Sequence, residues 1–284
     1  MISNLAAPSD FLNTWWGLTL FILLDIAVLV LIIALNYRWF FKRALDILFS
    51  GIFLVAFFPF FLIFLLADAI YNKASNAYPA LFSETVFQGK KGKTVRVKTF
   101  TAERVLHDES GNLLPMAERI TAMGKVLRAC GMEFYPALLA VFCGGLSFVG
   151  PRPMSVVDAA AVGEDAEVRF SVRPGLVSSL ELYGGEALTY PDLFEEDAEY
   201  VAHINFFRDI AFFMTKIANR FRGDNNKYGA CAEQGYIDWL LAEGEITAEE
   251  AKKYRREGEE HLRKVRLSDA ARRNSERRDF NTFR

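Results

Sequence analysis

Residues 127–153 read LRACGMEFYPALLAVFCGGLSFVGPRP, and this stretch decides how the rest of the chain is interpreted. Its end, Ser147–Pro153, predicts a strand or turn in which two prolines fix the backbone around Arg152. A guanidinium held in one place suits the planar recognition of phosphate. The only carboxylate in the stretch is Glu133, and Phe134 beside it can neither bind a cation nor transfer a proton. The pattern therefore combines a rigid arginine with a single acid.

Composition indicates a folded chain with a membrane-associated part. The chain has 284 residues, 52% of them apolar, and the apolar excess lies mostly in the first 70 residues. A net charge of −2 gives no general attraction to nucleic acid, so no nucleic-acid partner is expected. The three cysteines lack metal-ligand spacing, which argues against zinc and favours a reducing, cytoplasmic setting.

The first apolar run, Trp15–Tyr37, predicts a membrane-spanning helix. At about 1.5 Å per residue it is long enough to cross a hydrocarbon core of ~30 Å. Arg38, Lys42 and Arg43 follow the run, and the positive-inside bias places the amino terminus outside and the remaining chain on the cytoplasmic face. Asp25 lies near the middle of the run, where a carboxylate marks a helix contact or has no assigned role.

The second apolar run, Ile47–Ala67, is broken by Pro59 near its centre. Basic residues flank it on both sides, which places both ends on the cytoplasmic face and favours a re-entrant hairpin over residues 44–70. A kinked spanning helix is the alternative.

A strand, a basic turn and a second strand are predicted between Tyr78 and Thr101. On the second strand, Thr94–Phe100, Arg96 and Lys98 share one face because side chains alternate with a period of two. Two cations on one face suit the binding of phosphate, and a solvated edge strand is the simpler alternative.

The remaining chain predicts mostly helices. Val172–Gly175 repeats the proline device and holds Arg173, although either rigid arginine alone is more often structural. Predicted helices cover Pro115–Cys130, Ile204–Phe221, which is amphipathic, and a C-terminal hairpin of Tyr236–Ala242 and Ala248–Val265 with a capping box at Thr247 and Glu250, followed by a frayed basic tail, Leu267–Arg284.

These predictions give a membrane-associated α/β (α+β) fold with three parts. Residues 1–41 form a transmembrane helix and its juxtamembrane segment, and residues 42–222 form a small mixed α/β cytoplasmic domain with a re-entrant helix and surface amphipathic helices. Residues 223–284 form the helical hairpin and basic tail.

The ordered motifs resemble the bacterial sugar transferases, the monotopic phosphoglycosyl transferases that start glycan assembly on polyprenyl phosphate. Residues 147–153 match that family's most specific signature, and Arg96–Phe100 resembles its basic strand. The other matching positions are Lys42, Arg43, Asp46 and Pro59 of the re-entrant helix, then Arg169, Arg173-Pro174-Gly175, Asp197, Tyr200 and Asp209. The resemblance favours the re-entrant hairpin and a bacterial inner (cytoplasmic) membrane.

The resemblance also implies a chemistry. In the family an Asp-Glu pair acts, the Asp attacking the sugar-linked phosphate of a nucleotide sugar and the Glu helping to hold Mg²⁺. Glu133 falls at the Asp position and Phe134 at the Glu position. The extra methylene of Glu133 shifts its carboxylate by about a bond length, and a misplacement of ~1 Å can cost ~100-fold in rate.

Three further departures concern the anion and metal sites that the resemblance implies. Gly145 stands where the family has an acidic residue, Glu181 where it has Gln, and Gly185 where it has Arg.

Three hypotheses follow for the function. The first is a non-catalytic member, a pseudoenzyme that acts as a membrane-bound partner or regulator in the assembly of capsule, exopolysaccharide or glycoconjugate. The second is an active transferase that uses Glu133 as nucleophile, with Mg²⁺ held by other carboxylates such as Asp197. An unrelated membrane scaffold is the third.

The expected ligands differ between these hypotheses. An active enzyme takes polyprenyl phosphate and a nucleotide sugar, with phosphate contacts from Arg96, Lys98, Arg152, Arg169 and Arg173. A non-catalytic member contacts membrane lipid and a glycan-assembly protein or a second copy of itself, and needs no cofactor.

Overall fold

The computed structural model describes residues 14–77, 80–106, 116–183, 188–222 and 235–282. Gly185, one of the family departures, lies outside these ranges. The described chain is rich in helix and contains two small two-stranded sheets.

Helix α1, Trp15–Leu35, is apolar around its whole circumference. The hydroxyl of Thr14 caps it by accepting from the Gly17 N–H at 3.2 Å. Its mean hydropathy is 3.1 and almost all of its side chains are exposed, as a membrane span requires. Asp25 lies on its exposed surface. The predicted helix is thus confirmed, and it is long enough to cross a membrane.

The second apolar run forms two helices instead of one. A π-helical turn, Tyr37–Phe41, leads into α2, Lys42–Ala56, and α3 follows at Phe58–Ser75. Phe57 between them has non-helical dihedrals of −94° and 2°. Pro59 lies in the first turn of α3, where its missing N–H has no helical partner to lose. α3 is the second helix that is long and apolar enough to span a membrane.

The predicted hairpin of strands is confirmed. Strand β1, Phe82–Gln88, pairs antiparallel with β2, Thr94–Phe100, around a basic turn at Lys90–Gly92. The alternate residues Val95 and Val97 of β2 are buried, because they pack under the apolar stretch that follows residue 136.

A second sheet joins the two proline motifs. Strand β3, Ser147–Val149, lies parallel to β4, Gly175–Val177. A Cβ on Gly175 would lie 2.1 Å from the Gly150 nitrogen, so this approach of the two backbones requires glycine. The turns that carry Arg152 and Arg173 are therefore neighbours.

Helices complete the domain around these strands. Thr121 interrupts the predicted helix over 115–130, because it accepts from the Gly124 N–H at 2.9 Å and starts a new helix there. The elements are the one-turn helix Met116–Arg119, α4 Ala122–Cys130, a 3₁₀ helix Met132–Ala137, α5 Leu138–Phe142, the one-turn helix Val156–Ala159, 3₁₀ helices Glu164–Ser171 and Ser179–Tyr183, α6 Tyr190–Ala202 and α7 Phe206–Arg222.

The C-terminal hairpin consists of α8, Tyr236–Glu243, and α9, Ala248–Thr282. The capping box at Thr247 and Glu250 is confirmed. The predicted frayed tail after residue 266 is wrong, since α9 continues to Thr282. No glycine or proline follows Gly258 to end the helix, and the many Arg, Glu and Ala residues favour it.

The hairpin closes the apolar core of the domain. Tyr236 and Trp239 of α8 pack against Tyr190 of α6, with ring centroids 4.9 and 5.6 Å away. On α9, a Cβ added to Gly258 would lie 2.5 Å from the Val157 Cα, so the helix backbone approaches the chain directly after the Gly-Pro-Arg-Pro turn. The hairpin is therefore an integral part of the packed structure.

Candidate functional site

Asp46 joins helix α2 to strand β3, which begins the signature Ser147–Pro153. Its Oδ2 accepts from the Ser147 hydroxyl at 2.7 Å and its Oδ1 from the Phe148 N–H at 3.0 Å. The side chain is only 6% exposed, so both carboxylate oxygens need such partners. This acid fixes the membrane-proximal helix to the start of β3.

Arg43 makes a second link from α2. Its Nη1 donates to the carbonyl of Val141 at 2.7 Å and its Nη2 to that of Phe142 at 2.8 Å. These carbonyls belong to the last turn of α5, where backbone acceptors lack helical partners. Arg43 thus caps α5 and holds the glycine turn after it.

Asp209 of α7 is a buried acceptor for three donors. Its Oδ2 accepts from the Tyr37 hydroxyl at 2.6 Å and pairs with Lys42, and its Oδ1 accepts from Tyr200 at 2.8 Å. Burial and then the Asp209 charge raise the pKa of Tyr200, which keeps its phenol protonated as a donor. The base of α2, α6 and α7 meet at this carboxylate.

Arg169 and Asp197 hold the turn that carries Arg152. Nη2 of Arg169 lies 2.8 Å from Oδ2 of Asp197 and donates to the Arg152 carbonyl at 2.7 Å, while the Arg152 N–H donates to Oδ1 of Asp197 at 3.3 Å. Both charged side chains are 1% exposed. These contacts favour a positioning role for the pair, and phosphate binding by Arg169 stays a prediction.

Glu133 belongs to an ion-pair network. Its Oε2 accepts from Nε of Arg128 at 2.9 Å and its Oε1 from Nη2 at 3.3 Å. Arg128 also pairs with Glu103, which in turn lies 2.8 Å from Arg119. The carboxylate is buried, with 8% exposure, whereas the neighbouring Phe134 is 54% exposed. Glu133, the only acid in residues 127–153, is therefore held by an arginine.

Arg96 is also engaged by carboxylates. It donates to Glu84 of β1 at 3.3 Å and pairs with Asp269 of α9. Lys98, on the same face of β2, is exposed. The ion pair with Asp269 links strand β2 to the C-terminal helix α9. Phosphate contacts by Arg96 and Lys98 stay predictions.

Arg173 reaches the same glycine turn as Arg43. Its Nε donates to the Gly144 carbonyl at 2.7 Å. At the next position, a Cβ on Gly145 would lie 2.6 Å from Cγ1 of Val95. Val95 therefore occupies the space that an acidic side chain at position 145 would need.

Glu181, another family departure, is 3% exposed and has its own partners. Lys216 of α7 donates to its Oε1 at 2.5 Å, and Asn219 donates to its backbone carbonyl at 2.8 Å. These bonds attach α7 to the segment after β4.

The described acids do not form a metal site made of protein ligands alone. Within residues 14–77, 80–106, 116–183, 188–222 and 235–282, no three acidic, histidine or cysteine side chains form a group that could hold a metal. The Asp197 carboxylate lies against Arg169 and that of Glu133 against Arg128, whereas Mg²⁺ requires free oxygen donors in octahedral geometry.

The structure brings several of the predicted site residues together, but their contacts differ from the roles that the sequence predicted for them. The structure brings Asp46, Arg152, Arg169 and Asp197 to the signature turn, and it places Glu133 and Arg96 in ion pairs outside it. Sequence reasoning missed the acceptor role of Asp209 and the network through Glu103. Only the order of motifs pointed to Asp209, since its partners are 9 or more residues away.

The sequence model of the family described as "Bacterial sugar transferase" matches residues 37–223. The match covers α2 through α7 and therefore Asp46, Arg169 and Asp197, which contact the signature Ser147–Pro153. It stops before the C-terminal hairpin.

Curated relatives carry related names. The chain is 35% identical over 122 residues to the "Uncharacterized sugar transferase EpsL" of Bacillus subtilis, covering 43% of this chain and 59% of that protein. It is 29% identical over 198 residues to the "UDP-glucose:undecaprenyl-phosphate glucose-1-phosphate transferase" of Escherichia coli, covering 66% of this chain and 40% of that protein. It is 28% identical to the protein of the same name from Caulobacter vibrioides, covering 65% of this chain and 71% of that protein. The chain thus spans about half the length of the first two relatives.

Proposed function

The chain belongs to the bacterial sugar transferase family, and we propose that it serves bacterial surface-glycan assembly as a membrane-bound member that does not transfer sugar phosphate. The observation that carries the proposal is the environment of residues 133 and 134. One is an acid bound through both oxygens to Arg128, and the other is an exposed phenylalanine.

The ion pair at Glu133 works against nucleophilic attack. A carboxylate that attacks phosphorus needs a free oxygen directed at the substrate, and bidentate pairing with a guanidinium occupies both oxygens. If Glu133 turned toward a substrate, the half-buried Arg128 would lose one of the two carboxylates that neutralise it, which costs free energy. The contacts therefore suit a structural role for Glu133.

The chemistry implied by the family requires a metal that these residues do not fit. A diphosphate repels an approaching carboxylate unless a cation offsets the charge. Phe134 offers no donor for one, and Asp197 is enclosed with Arg169. Loss of the metal-binding half of the dyad supports the non-catalytic assignment.

An active transferase is the second candidate, favoured by the intact geometry of the signature turn. In that route an oxygen of Glu133 bonds to the sugar-linked phosphorus, the bridging P–O bond breaks, and the nucleoside monophosphate leaves. Polyprenyl phosphate then displaces Glu133. The substrates proposed for this route are UDP-glucose and undecaprenyl phosphate, after which the relatives from Escherichia coli and Caulobacter vibrioides are named.

We place the parts of the chain in the membrane as follows. Residues 1–41 cross the bacterial inner membrane with the amino terminus outside, and residues 42–222, with the re-entrant segment 44–70, lie on the cytoplasmic face. Residues 223–284 form the C-terminal helical part of the same face. The break at Phe57, the basic residues on both flanks and the buried polar side of α2, Asp46 and Ser50, support a re-entrant hairpin.

A member without catalysis acts through binding. The retained partners are membrane lipid and a glycan-assembly protein or a second copy of the chain. The C-terminal hairpin of α8 and α9 lies outside the family match and offers such a partner a surface that the family match does not include.

Adduct formation tests whether Glu133 acts as a nucleophile. Detergent-purified full-length protein is incubated with UDP-glucose and Mg²⁺, and its intact mass is measured against that of Glu133→Gln. We expect no sugar-phosphate adduct on either protein, because Arg128 holds both carboxylate oxygens. An adduct on the wild type that is absent from Glu133→Gln would establish the active route.

A further inference from the structure

Two arginines converge on the turn that follows α5. Arg43 donates to the carbonyls of Val141 and Phe142, and Arg173 donates to that of Gly144. Nη2 of Arg43 lies within 2.9 Å of where a Cβ of Gly144 would be. Two guanidinium groups therefore contact one short turn.

Two further cations lie on neighbouring elements, Arg38 shortly before Arg43 in the sequence and Lys90 in the turn between β1 and β2. The turn at Lys90–Gly92 packs against the 3₁₀ helix Glu164–Ser171, and Arg173 follows that helix by two residues. Arg38 lies on the π-helical turn that continues directly into α2, which carries Arg43. We call Arg38, Arg43, Lys90 and Arg173 the basic cluster.

Electrostatic coupling agrees with this placement. Burial and then the charge of Arg173 lower the pKa of Arg43. Burial lowers the pKa of Lys90 as well, with further contributions from Arg173, Lys91 and Arg38. Like charges disfavour one another's ionised forms only when they lie close together. The members of the basic cluster therefore lie close enough to repel one another.

No carboxylate neutralises this charge within the described ranges. The ion pairs there involve other cations, and none joins a member of the basic cluster to an acid within 4.0 Å. Asp46, the acid that acts on Arg43, directs both oxygens to Ser147 and Phe148. Glu164, Asp165 and Glu167 on the adjacent 3₁₀ helix are exposed and beyond pairing distance. Position 145, beside the turn, is glycine.

The membrane placement proposed above puts the cluster where lipid headgroups are found. Arg38 is three residues beyond the end of α1, and Arg43 is in the first turn of α2. The apolar surface of α1 sets the depth of this end at the boundary between hydrocarbon and water. A cation here meets the phosphates of the adjacent leaflet.

We infer that the basic cluster binds the phosphate group of an anionic phospholipid. Guanidinium and ammonium groups recognise phosphate by charge-assisted hydrogen bonds, and free phosphate shares that chemistry. The membrane-boundary position favours the lipid as the source. This site rests on the proposed membrane placement and is independent of the proposed loss of catalysis, because neither Glu133 nor Phe134 belongs to it.

The test removes charge from the two members that make no hydrogen bond to the turn. Arg43 and Arg173 hold the backbone, so their loss could unfold the site. Full-length Arg38→Gln/Lys90→Gln in detergent is titrated with phosphatidylglycerol and with phosphatidylcholine, and bound lipid is counted by native mass spectrometry. Lys125→Gln/Lys252→Gln, which removes the same charge from exposed lysines outside the cluster, is the matched control. Inorganic phosphate at equal concentration forms the third arm.

We expect phosphatidylglycerol to bind the wild type in preference to phosphatidylcholine. One basic residue near a lipid surface is worth about fivefold in affinity, so the Arg38/Lys90 double variant should lose about 20-fold and the control less than about twofold. Equal binding of the two lipids, equal losses in the two double variants, or displacement of phosphatidylglycerol by equimolar inorganic phosphate would overturn the inference.

Discussion

Replacing Asp209 with alanine should lower the thermal midpoint of the purified protein by on the order of 10 °C. The change removes the acceptor shared by Tyr37, Lys42 and Tyr200 and leaves a lysine that is 15% exposed without its counter-charge. Removing one partner from a buried charged pair typically costs about 3–5 kcal/mol in the free energy of unfolding. Midpoints are measured by heating the detergent-solubilised protein and following the folded peak by size-exclusion chromatography.

Glu199→Ala provides the control for Asp209. It breaks a pair with Arg208 at 3.1 Å in which the glutamate is 54% exposed, and exposed pairs contribute less than about 1 kcal/mol. Asp209→Asn, which keeps one oxygen acceptor, should lie between the two. If Asp209→Ala unfolds at the same temperature as Glu199→Ala, the junction of α2, α6 and α7 does not depend on this carboxylate.

Replacing Asp197 with alanine should be similarly destabilising, by about 3–5 kcal/mol. Arg169, which is 1% exposed, would then be a buried cation without an acid, and the Arg152 N–H would lose its acceptor. The measurement is again the thermal midpoint. Glu195→Ala on the same helix, where the acid is exposed, is expected to change it little.

The pH dependence gives a second readout for Asp197. Burial raises the pKa of this carboxyl to about 6, against the opposing effect of Arg169. The native state takes up a proton on Asp197 near pH 6, whereas the unfolded chain does so only near pH ~4. The stabilisation of the native state by protonated Asp197 is therefore fully present below pH ~4 and is lost as the pH rises through 6. Relative to Asp197→Asn, the wild type should therefore gain on the order of 1 kcal/mol between pH 7.5 and pH 5. A parallel pH profile for the two proteins would contradict the buried environment of Asp197.

Sequence patterns predict the helices and strands that depend on residues close together in the chain. An unbroken apolar run gives α1, alternation around a Gly-Lys turn gives β1 and β2, and the Thr247–Glu250 spacing gives the start of α9. These features depend on neighbours within a few residues. The full length of α9 does not follow from the same patterns, because the polar, arginine-rich composition after residue 266 is typical of a frayed tail, while only the absence of Gly and Pro favours a continued helix.

Roles of single charged residues could not be predicted in the same way. Arg96 and Arg173 are both predicted to contact phosphate, yet one pairs with Glu84 and Asp269 and the other donates to a turn beside Arg43. Those partners are separated from them by up to 173 residues. Pairing at that range depends on how the elements pack, so the motifs fixed where arginines lie and only the structure assigned what they bind.

The most direct test of the central proposal is the release of uridine monophosphate from UDP-glucose by the purified full-length protein with undecaprenyl phosphate and Mg²⁺. Wild type, Glu133→Ala and an intact family member are assayed side by side. We predict that the family member turns over while wild type and Glu133→Ala are both indistinguishable from the no-protein blank. Turnover by the wild type that disappears in Glu133→Ala would contradict the proposal and assign catalysis to this carboxylate.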